Sequence, residues 1–460
     1  MTLLENKANP FQPMQVLCVD LDRPLLDLSC RSDFSSSQAW ILVRLHSHVL
    51  GELDVEIPKN GLTGEDLALQ IWKKLETPIQ DHLAKDNVFL QGPLHQAGLD
   101  EASPPACLRI REDLLQEYPL VSVVIATRDR LGSLQPCLSS ILASDYPNFE
   151  VIVVDNAPRS EETARFMRSA FASSTNVRYL REDIPGLAIA HNRALPALKG
   201  EIVAFTDDDV LVDRNWLTSL VMNFQQDPMT GCVTGMILPY ELETAPQFWI
   251  EQFGGFGKGY KRIVYDLKEK RSHDILFPYS AGRFGSGANM AFRTSVLTSL
   301  GGFDGALGAG TLAKGGDDLA IFFDVIASGS RLVYEPDALI YHKHRRDYAG
   351  LADQAYGYGV GLSAFLMRTI IKYPGRLVDM CSRFPAGLRH LLDPRSQKNR
   401  RKKGDYPREL TRLERKGFIK GLFAYLQSRR HLQKLKTRLS KAQKRLSPGF
   451  LYPSSKNLSK

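Results

Sequence analysis

Three adjacent carboxylates, Asp207, Asp208 and Asp209, come directly after the apolar run 202–206. Neighbouring carboxylates repel one another, so a triplet of this kind is typical of a cation site. Hard oxygen ligands suit Mg²⁺ or Mn²⁺, which proteins commonly hold through one or two carboxylates plus the phosphate oxygens of a substrate. The alternative is a solvated acidic turn. The sequence therefore predicts a divalent-metal site at the end of this apolar run.

Further polar groups occupy similar positions elsewhere. Asp155 follows another apolar run, where its carboxylate can accept hydrogen bonds from a nucleobase or a ribose, although Asp-Asn also makes a plain turn. Asp317 and Asp318 open a predicted helix, where an aspartate serves either as a cap or as a general base. His342 ends a third apolar segment, and a neutral imidazole can ligate a divalent metal.

The elements that must position these groups alternate between about residues 118 and 346. Strands are predicted at 121–126, 150–154, 177–180, 202–206 and 331–340, and helices at 130–143, 161–172, 189–199 and 319–327. The β-α-β-α order predicts a parallel sheet with helices on both faces. Ligands of such sheets bind at the carboxyl ends of the strands, which is where the polar groups occur.

Residues 1–100 predict a small, β-rich α+β domain, and residues 101–117 a linker. Strand patterns cover 14–22, 40–45 and 49–57, and Thr63 with Asp66 resembles a capping box that opens a helix through Leu75. His46 and His48 can in principle ligate a metal. At strand spacing they share one face of an ordinary hairpin, so we expect a structural role for both.

Residues 347–460 predict a helical, basic C-terminal region. The segment 341–460 holds 29 Lys+Arg and 7 Asp+Glu, whereas the rest of the chain holds 30 and 44. A basic tail on an acidic body predicts an anionic partner, such as a membrane surface; the alternative is a solvated basic helix. The apolar residues of 408–445 either lie on a membrane or pack against the body. No nucleic-acid partner is expected, since no reader motif is present.

Composition narrows the class of protein. With 43% hydrophobic and 24% charged residues, the 460-residue chain is typical of globular proteins, which excludes wholesale disorder and fibrous repeats. Its six cysteines form no C-x-x-C pair, which fits a reducing compartment. The first residues show no leader pattern and no run of about 18 apolar residues occurs. We therefore expect a cytoplasmic location, at the inner face of the cell membrane if the basic tail binds there.

Eight segments together resemble a known family. They are VSVVIATRDR, EVIVVDNAP, GLAIAHNRAL, EIVAFTDDDV, GSGANMAFR, GGFD, GGDDLAIFFDVIASG and YEPDALIYHKH, in that order. The region from about 120 to 346 is thereby similar to family 2 glycosyltransferases. The resemblance implies an α/β fold of the GT-A (Rossmann-like) type, a mixed sheet flanked by helices. It also implies an inverting transferase that uses a nucleotide-sugar donor.

The resemblance implies roles for individual residues. The residues expected to contact the nucleotide-sugar donor are Thr127, Arg128, Asp155, Asn192, Arg193, Asp207 and Asp208. Asp209 and His342 match the ligands of Mn²⁺ or Mg²⁺, with His344 as a less favoured substitute for His342. Asp318 matches the catalytic base. Asp317 and Asn289 are expected to meet the acceptor, and Asp317 stands where the family usually has glutamate. Apart from the resemblance, Trp249 is a candidate for stacking on an acceptor sugar or lipid, and packing in the core is the alternative for this aromatic residue.

The resemblance implies sugar transfer from a UDP-, GDP- or dTDP-sugar to a glycan or lipid-linked acceptor, in the synthesis of a surface or secreted glycan. Two alternatives stay open. A sugar-phosphate nucleotidyltransferase shares related chemistry but needs a glycine-rich basic loop after the first strand, which ATRDRLGSL matches poorly. A catalytically idle nucleotide-sugar-binding module is the other.

Overall fold

The computed structural model of the chain describes residues 11–30, 38–99, 105–254, 256–269, 274–396, 398–402 and 405–446. Its N-terminal unit is a three-stranded sheet of β1 (Met14–Asp20), β2 (Gln38–Leu45) and β3 (His48–Glu56), backed by α1 (Gly64–Leu83). β1 runs parallel to β2, and β3 antiparallel to it. Apolar side chains of the sheet and of α1 share one core. The predicted small N-terminal sheet is therefore confirmed.

Helix α1 begins as predicted and ends later. The Thr63 hydroxyl accepts a hydrogen bond from the backbone N–H of Asp66 at 3.1 Å. The helix continues beyond the expected end at Leu75, where φ is −124° and the axis kinks. Pro78 lies one turn further on and lacks the N–H that would bond back across the kink, which explains the break.

The rest of the described chain surrounds one nine-stranded sheet. Its strands are β4 (Val121–Thr127), β5 (Phe149–Asn156), β6 (Val177–Glu182), β7 (Ile202–Asp207), β8 (Val210–Val212), β9 (Thr230–Pro239), β10 (Ile263–Tyr265), β11 (Asn289–Arg293) and β12 (Arg331–His342). The order is β10-β12-β9-β11-β7-β4-β5-β6, with β8 paired to β12. β4–β7 form the predicted parallel part, and β11 runs antiparallel to both of its neighbours, which makes the sheet mixed.

Helices cover both faces of this sheet. They are α2 (Ala106–Leu114), α3 (Leu131–Leu142), α4 (Glu162–Ala170), α5 (Leu187–Ala194), α6 (Trp216–Gln226), α7 (Ala245–Phe253), α8 (Thr294–Ser299) and α9 (Asp317–Ala327). Two apolar layers, one on each face, form the core. α2 lies inside the predicted linker. α5 ends earlier than predicted, since a 3₁₀ turn containing Pro196 follows it.

Within the described part of the C-terminal region there are three α-helices: α10 (Tyr348–Lys372), α11 (Leu377–Leu392) and α12 (Arg408–Leu446). α12 packs closely on α10 at Gly421. A Cβ atom added to this glycine would lie only 2.2 Å from the Val360 carbonyl oxygen, so a larger residue would push the helices apart. Leu410 and Tyr425 of α12 are buried, so this part of the basic helix packs against the body. Among the described residues, no helix is both long and apolar enough to cross a bilayer.

The N-terminal unit lies directly on the sheet. Asp337 of β12 accepts a hydrogen bond from the Val49 backbone N–H at 2.7 Å, and Arg44 pairs with Asp213 at 2.7 Å. Leu42 and Val49 share an apolar cluster with residues of β9 and β12. The contact is therefore both polar and apolar.

Candidate active site

A cleft of about 1090 Å³ opens at the carboxyl ends of the parallel strands. The predicted site residues that line it are Thr127, Arg128, Asp207, Asp208, Asp209, Asp317, Asp318 and His342. They come from β4, β7, α9 and β12 and from the loops after β4 and β7. Four segments that are distant in sequence thus present polar groups to one cleft.

Arg130 organises the acidic triplet. Its guanidinium lies 2.6 Å from Asp208 and 2.8 Å from Asp209. The Thr127 hydroxyl donates a 2.7 Å hydrogen bond to the other oxygen of Asp208. Asp208 is therefore engaged by the protein on both oxygens, which assigns it to positioning the loop. Sequence reasoning missed Arg130, because nothing local distinguishes it from Arg128.

Asp207, Asp209 and His342 form the candidate metal centre. Their donor atoms all lie within 4.8 Å of one another, and Nε2 of His342 is 3.3 Å from Oδ1 of Asp209. Two carboxylates with one imidazole make a donor set that suits Mn²⁺ and accommodates Mg²⁺ through its oxygens. The other ring nitrogen of His342 contacts His344, which in turn contacts Glu251. Metal-bound histidines are commonly oriented by such partners, so the residues present fit a divalent cation.

The charges of this centre are strongly coupled. Burial, followed by the charge of Asp209, raises the pKa of Asp207. Burial would also raise the pKa of Asp209, but the hydrogen bond and charge of His342, together with Arg130, lower it well below its ordinary value. Burial alone would lower the pKa of His342, yet Asp209 raises it. Asp209 is therefore the most firmly ionised carboxylate of the triplet.

Asp317 and Asp318 occupy the first turn of α9. The preceding Gly316 has φ 84°, and a Cβ there would lie 2.4 Å from the Gly361 carbonyl oxygen, so only glycine fits. Asp318 accepts hydrogen bonds from the backbone N–H groups of Leu319 at 2.8 Å and Gly287 at 3.1 Å. Burial raises its pKa, which these two bonds oppose. The helix start thus holds a half-buried carboxylate in a fixed position at the cleft.

Asp317 is buried beside it. Burial, followed by the charge of Asp318, raises the pKa of Asp317. Lys258 also lines the cleft and was not found from the sequence. Burial, followed by the charge of Arg401, lowers the pKa of Lys258 to about 8, although the charge of Asp318 opposes both. The cleft therefore carries titratable groups of both signs.

Asp155 lies behind the cleft lining, at the end of β5. It is fully buried; Oδ2 accepts a hydrogen bond from the Tyr179 hydroxyl at 3.0 Å, and Oδ1 has no hydrogen-bond partner among the described residues. Asp155 pairs in register with Thr127, which does line the cleft. An unsatisfied buried carboxylate oxygen in this position is an acceptor that a ligand N–H can satisfy.

Asn192 and Arg193 do not line the cleft, contrary to our expectation. The Asn192 amide donates to and accepts from the backbone of Phe303, at 2.7 and 2.8 Å, and so ties α5 to the loop after α8. The exposed Arg193 donates to the Arg181 carbonyl at 3.2 Å. Their side chains leave α5 on faces other than the one that presents Leu187 to the cleft.

Asn289 and Trp249 also lie outside the cleft. The fully buried amide of Asn289 donates to Met236 and Ala338 and accepts from the Trp216 indole. The expected acceptor contact does not fit this placement, because every polar atom of the side chain already has a partner. Trp249 packs edge-on against Tyr348, with ring centroids 6.1 Å apart. Its neighbours Ile250 and Phe253 line the cleft instead.

The chain is similar to several known proteins. Residues 122–301 match the sequence profile of the family described as Glycosyl transferase family 2. A glucosyl-dolichyl phosphate glucuronosyltransferase of Haloferax volcanii is 23% identical over 248 residues, which are 52% of this chain and 75% of that protein. A pre-mycofactocin glycosyltransferase of Mycobacterium tuberculosis is 27% identical over 225 residues, 49% of this chain and 43% of that protein.

An uncharacterised protein y4gI of Sinorhizobium fredii is 30% identical over 245 residues, 50% of this chain and only 25% of that protein. The match thus spans a quarter to three quarters of these relatives. Among solved structures, a mannosyltransferase of Pyrobaculum calidifontis in complex with GDP-Man and Mn²⁺ is 18% identical with a TM-score of 0.40, covering 74% of this chain and 88% of that one. Residues 122–301 of this chain are thus similar in sequence to glycosyl transferase family 2.

Proposed function

We propose that the protein is a metal-dependent, inverting glycosyltransferase that moves a sugar from a nucleotide-diphospho-sugar to an acceptor hydroxyl. One observation carries the proposal: the candidate metal ligands Asp207, Asp209 and His342 share a single cleft with Asp318, a fixed carboxylate that can act as base. The similarity of residues 122–301 to glycosyl transferase family 2 supports this class of reaction.

The donor side of the cleft has acceptors and cations for a nucleotide diphosphate. The unpartnered Oδ1 of Asp155 can accept a nucleobase N–H. Arg128, Lys258 and Arg345 line the cleft and offer positive charge to a diphosphate. A divalent cation held by Asp209 and His342 would stabilise the negative charge that develops on the leaving diphosphate. A UDP-, GDP- or dTDP-sugar is therefore the proposed donor class.

Asp318 performs the proton transfer in this proposal. Each of its oxygens accepts one backbone hydrogen bond, which fixes the carboxylate and leaves further lone pairs for an acceptor hydroxyl. Asp318 takes the hydroxyl proton as the oxygen attacks the anomeric carbon. A single displacement breaks the bond to the diphosphate and inverts the configuration, so no covalent nucleophile is required.

The acceptor side suggests a lipid-linked acceptor at a membrane surface. Helix α11 exposes an apolar stripe of Leu377, Phe384, Leu388 and Leu392, whose exposed fractions are 43%, 62%, 44% and 44%. Phe384 and Leu388 also line the cleft. Arg376, Arg383 and Arg389 lie at or on the same helix. A basic amphipathic helix of this kind can bind the anionic inner face of the cell membrane and present the cleft to a lipid-linked glycan.

Nucleoside diphosphate release tests the central proposal. UDP-, GDP- and dTDP-sugars are offered with Mn²⁺ or with EDTA. We expect metal-dependent release from one donor, lost in Asp209→Ala and retained in the exposed control Asp183→Asn. If no donor gives release, direct binding of the same panel is measured. Absence of both release and binding would overturn the proposal, whereas binding without turnover in the presence of acceptors would favour the idle module.

Vesicle flotation tests the membrane element separately. The full chain should float with vesicles that contain anionic phosphatidylglycerol and not with pure phosphatidylcholine. Phe384→Asp combined with Leu388→Asp should abolish flotation. The matched control is Ile419→Asp, which alters an apolar residue 67% exposed on α12. Equal loss in the control would count against α11 as the docking helix.

A further inference from the structure

Three metal-ligating side chains from distant parts of the chain meet at the edge of the N-terminal unit. His46 lies in the turn between β2 and β3, His82 in the last turn of α1, and Cys107 in the first turn of α2. Nδ1 of His46 is 3.1 Å from Nε2 of His82. The Cys107 sulfur is 3.5 Å from the first of these nitrogens and 3.7 Å from the second. Both imidazoles are buried, with 6% and 5% exposed.

We propose that His46, His82 and Cys107 bind a structural Zn²⁺ ion. Nitrogen and sulfur donors in a tetrahedral arrangement are the typical ligands of structural zinc. Bonds of about 2.0–2.1 Å to nitrogen and about 2.3 Å to sulfur place tetrahedral donors about 3.3 Å apart for two nitrogens and about 3.6 Å apart for nitrogen and sulfur. The three observed separations of 3.1, 3.5 and 3.7 Å are close to these values.

Metals bind cysteine as the thiolate, and the Cys107 sulfur faces two imidazole nitrogens, at 3.5 Å and 3.7 Å. The chemistry of this donor set also separates it from the carboxylate centre of the cleft, which suits harder cations.

His48 is the candidate for the fourth position. Its ring centroid lies 5.2 Å from that of His82. The donor atoms of His46, His82 and Cys107 all lie within 4.8 Å of one another, and those of His48 do not belong to this group. A water molecule is therefore the other candidate for the fourth ligand. Nδ1 of His48 lies 2.5 Å from Oδ2 of Asp337. A carboxylate on one ring nitrogen is a common support for a metal on the other, here Nε2.

Metal analysis of the full chain tests the proposal. Protein purified without chelators should contain one zinc ion per chain, measured by mass spectrometry of the metals. Cys107→Ser should lose it. Cys381→Ser alters an exposed cysteine and is the matched control, which should keep it. Asp209→Ala should also keep it, which distinguishes this site from the carboxylate centre.

Cobalt substitution supplies a second measurement, and its main result comes from the wild-type protein, so it does not depend on whether a variant folds. Co²⁺ in place of zinc should give a sulfur-to-cobalt charge-transfer band and the intense visible bands of a tetrahedral ion. His82→Asn should reduce both, whereas His95→Asn, on an exposed histidine, should not. The proposal is overturned if the purified wild-type protein contains no zinc and also shows no charge-transfer band with Co²⁺. His46, His82 and Cys107 would then form only a hydrogen-bonded cluster. Neither measurement depends on glycosyl transfer.

Discussion

The Nδ1 atoms of His342 and His344 lie 3.1 Å apart. Nε2 of His344 lies 2.7 Å from a carboxylate oxygen of Glu251. Because an ionised carboxylate only accepts, Nε2 of His344 donates, and its Nδ1 is left to accept from His342. Nε2 of His342, which is 3.3 Å from Asp209, is then the nitrogen that exchanges its proton for a metal and supplies the lone pair. Glu251 therefore selects the tautomer of a residue that it does not touch.

Removing His344 or Glu251, which orient His342, should weaken metal binding. We expect His344→Ala to reduce Mn²⁺ affinity by roughly 10–100-fold, the usual effect of losing a residue that orients a ligand. Glu251→Gln should give a smaller reduction, since its amide oxygen still accepts. Electron paramagnetic resonance titration of Mn²⁺ measures both. Glu162→Gln, on an exposed surface, is the control. Unchanged affinity in His344→Ala would refute the relay.

Asp318→Asn should abolish transfer and leave donor binding nearly intact. The amide cannot take a proton, but it keeps the size of the side chain, and its single oxygen can still accept from one of the two backbone N–H groups, that of Gly287 or that of Leu319. We expect a fall in kcat of at least about 100-fold, the low end of a general-base contribution. Calorimetry gives the donor affinity. A parallel loss of binding and turnover would argue against Asp318 as the base.

Asp208 should make stability depend on pH. Burial, opposed by Arg130 and Thr127, raises its pKa from 3.8 to about 6. Between these values the folded state binds more protons than the unfolded state, so the free energy of unfolding falls as pH rises. The full change is about 3 kcal/mol, at about 1.4 kcal/mol per pKa unit.

The Asn variant removes this titration. Relative to wild type, Asp208→Asn should gain up to about 3 kcal/mol in free energy of unfolding between pH 4 and pH 7. Urea denaturation at several pH values measures the difference. Asp183→Asn, on an exposed aspartate, is the matched control. A difference from wild type that stays constant with pH would exclude Asp208 as the titrating group.

Packing of α12 on α10 should depend on Gly421. Gly421→Val places a Cβ 2.2 Å from the Val360 carbonyl oxygen, so the helices must separate. We expect a loss of at least about 2 kcal/mol in the free energy of unfolding, within the usual cost of overpacking. Gly375→Ala is the control, since no atom of the described chain lies within 4 Å of its added Cβ. Equal stability of the two variants would contradict the close packing.

Local pattern could predict the acidic part of the site. Asp207, Asp209 and His342 each end an apolar run, and strands of a parallel sheet bring such ends together. Asn289 also lies in a family motif, but it sits in an antiparallel strand whose side chains alternate between faces. The family motif alone does not say which face of the sheet such a residue occupies.

Contacts between distant segments could not be predicted. Arg130 meets its two aspartates across 78 and 79 residues of sequence. The proposed zinc ligands are separated by 36 residues for His46 and His82 and by 25 for His82 and Cys107. No single-sequence periodicity extends over such separations, so His46 was predicted to be part of an ordinary hairpin.

Strand β12 has a practical consequence for anyone shortening this protein. It carries Asp337 against the N-terminal unit and His342 in the cleft, five residues or about 17 Å further along the same strand. Removing the first hundred residues would expose the apolar side chains of Met236, Leu238 and Leu339. We expect a fragment that begins at residue 122, where the family match begins, to aggregate on expression, so this boundary is not a safe place to cut.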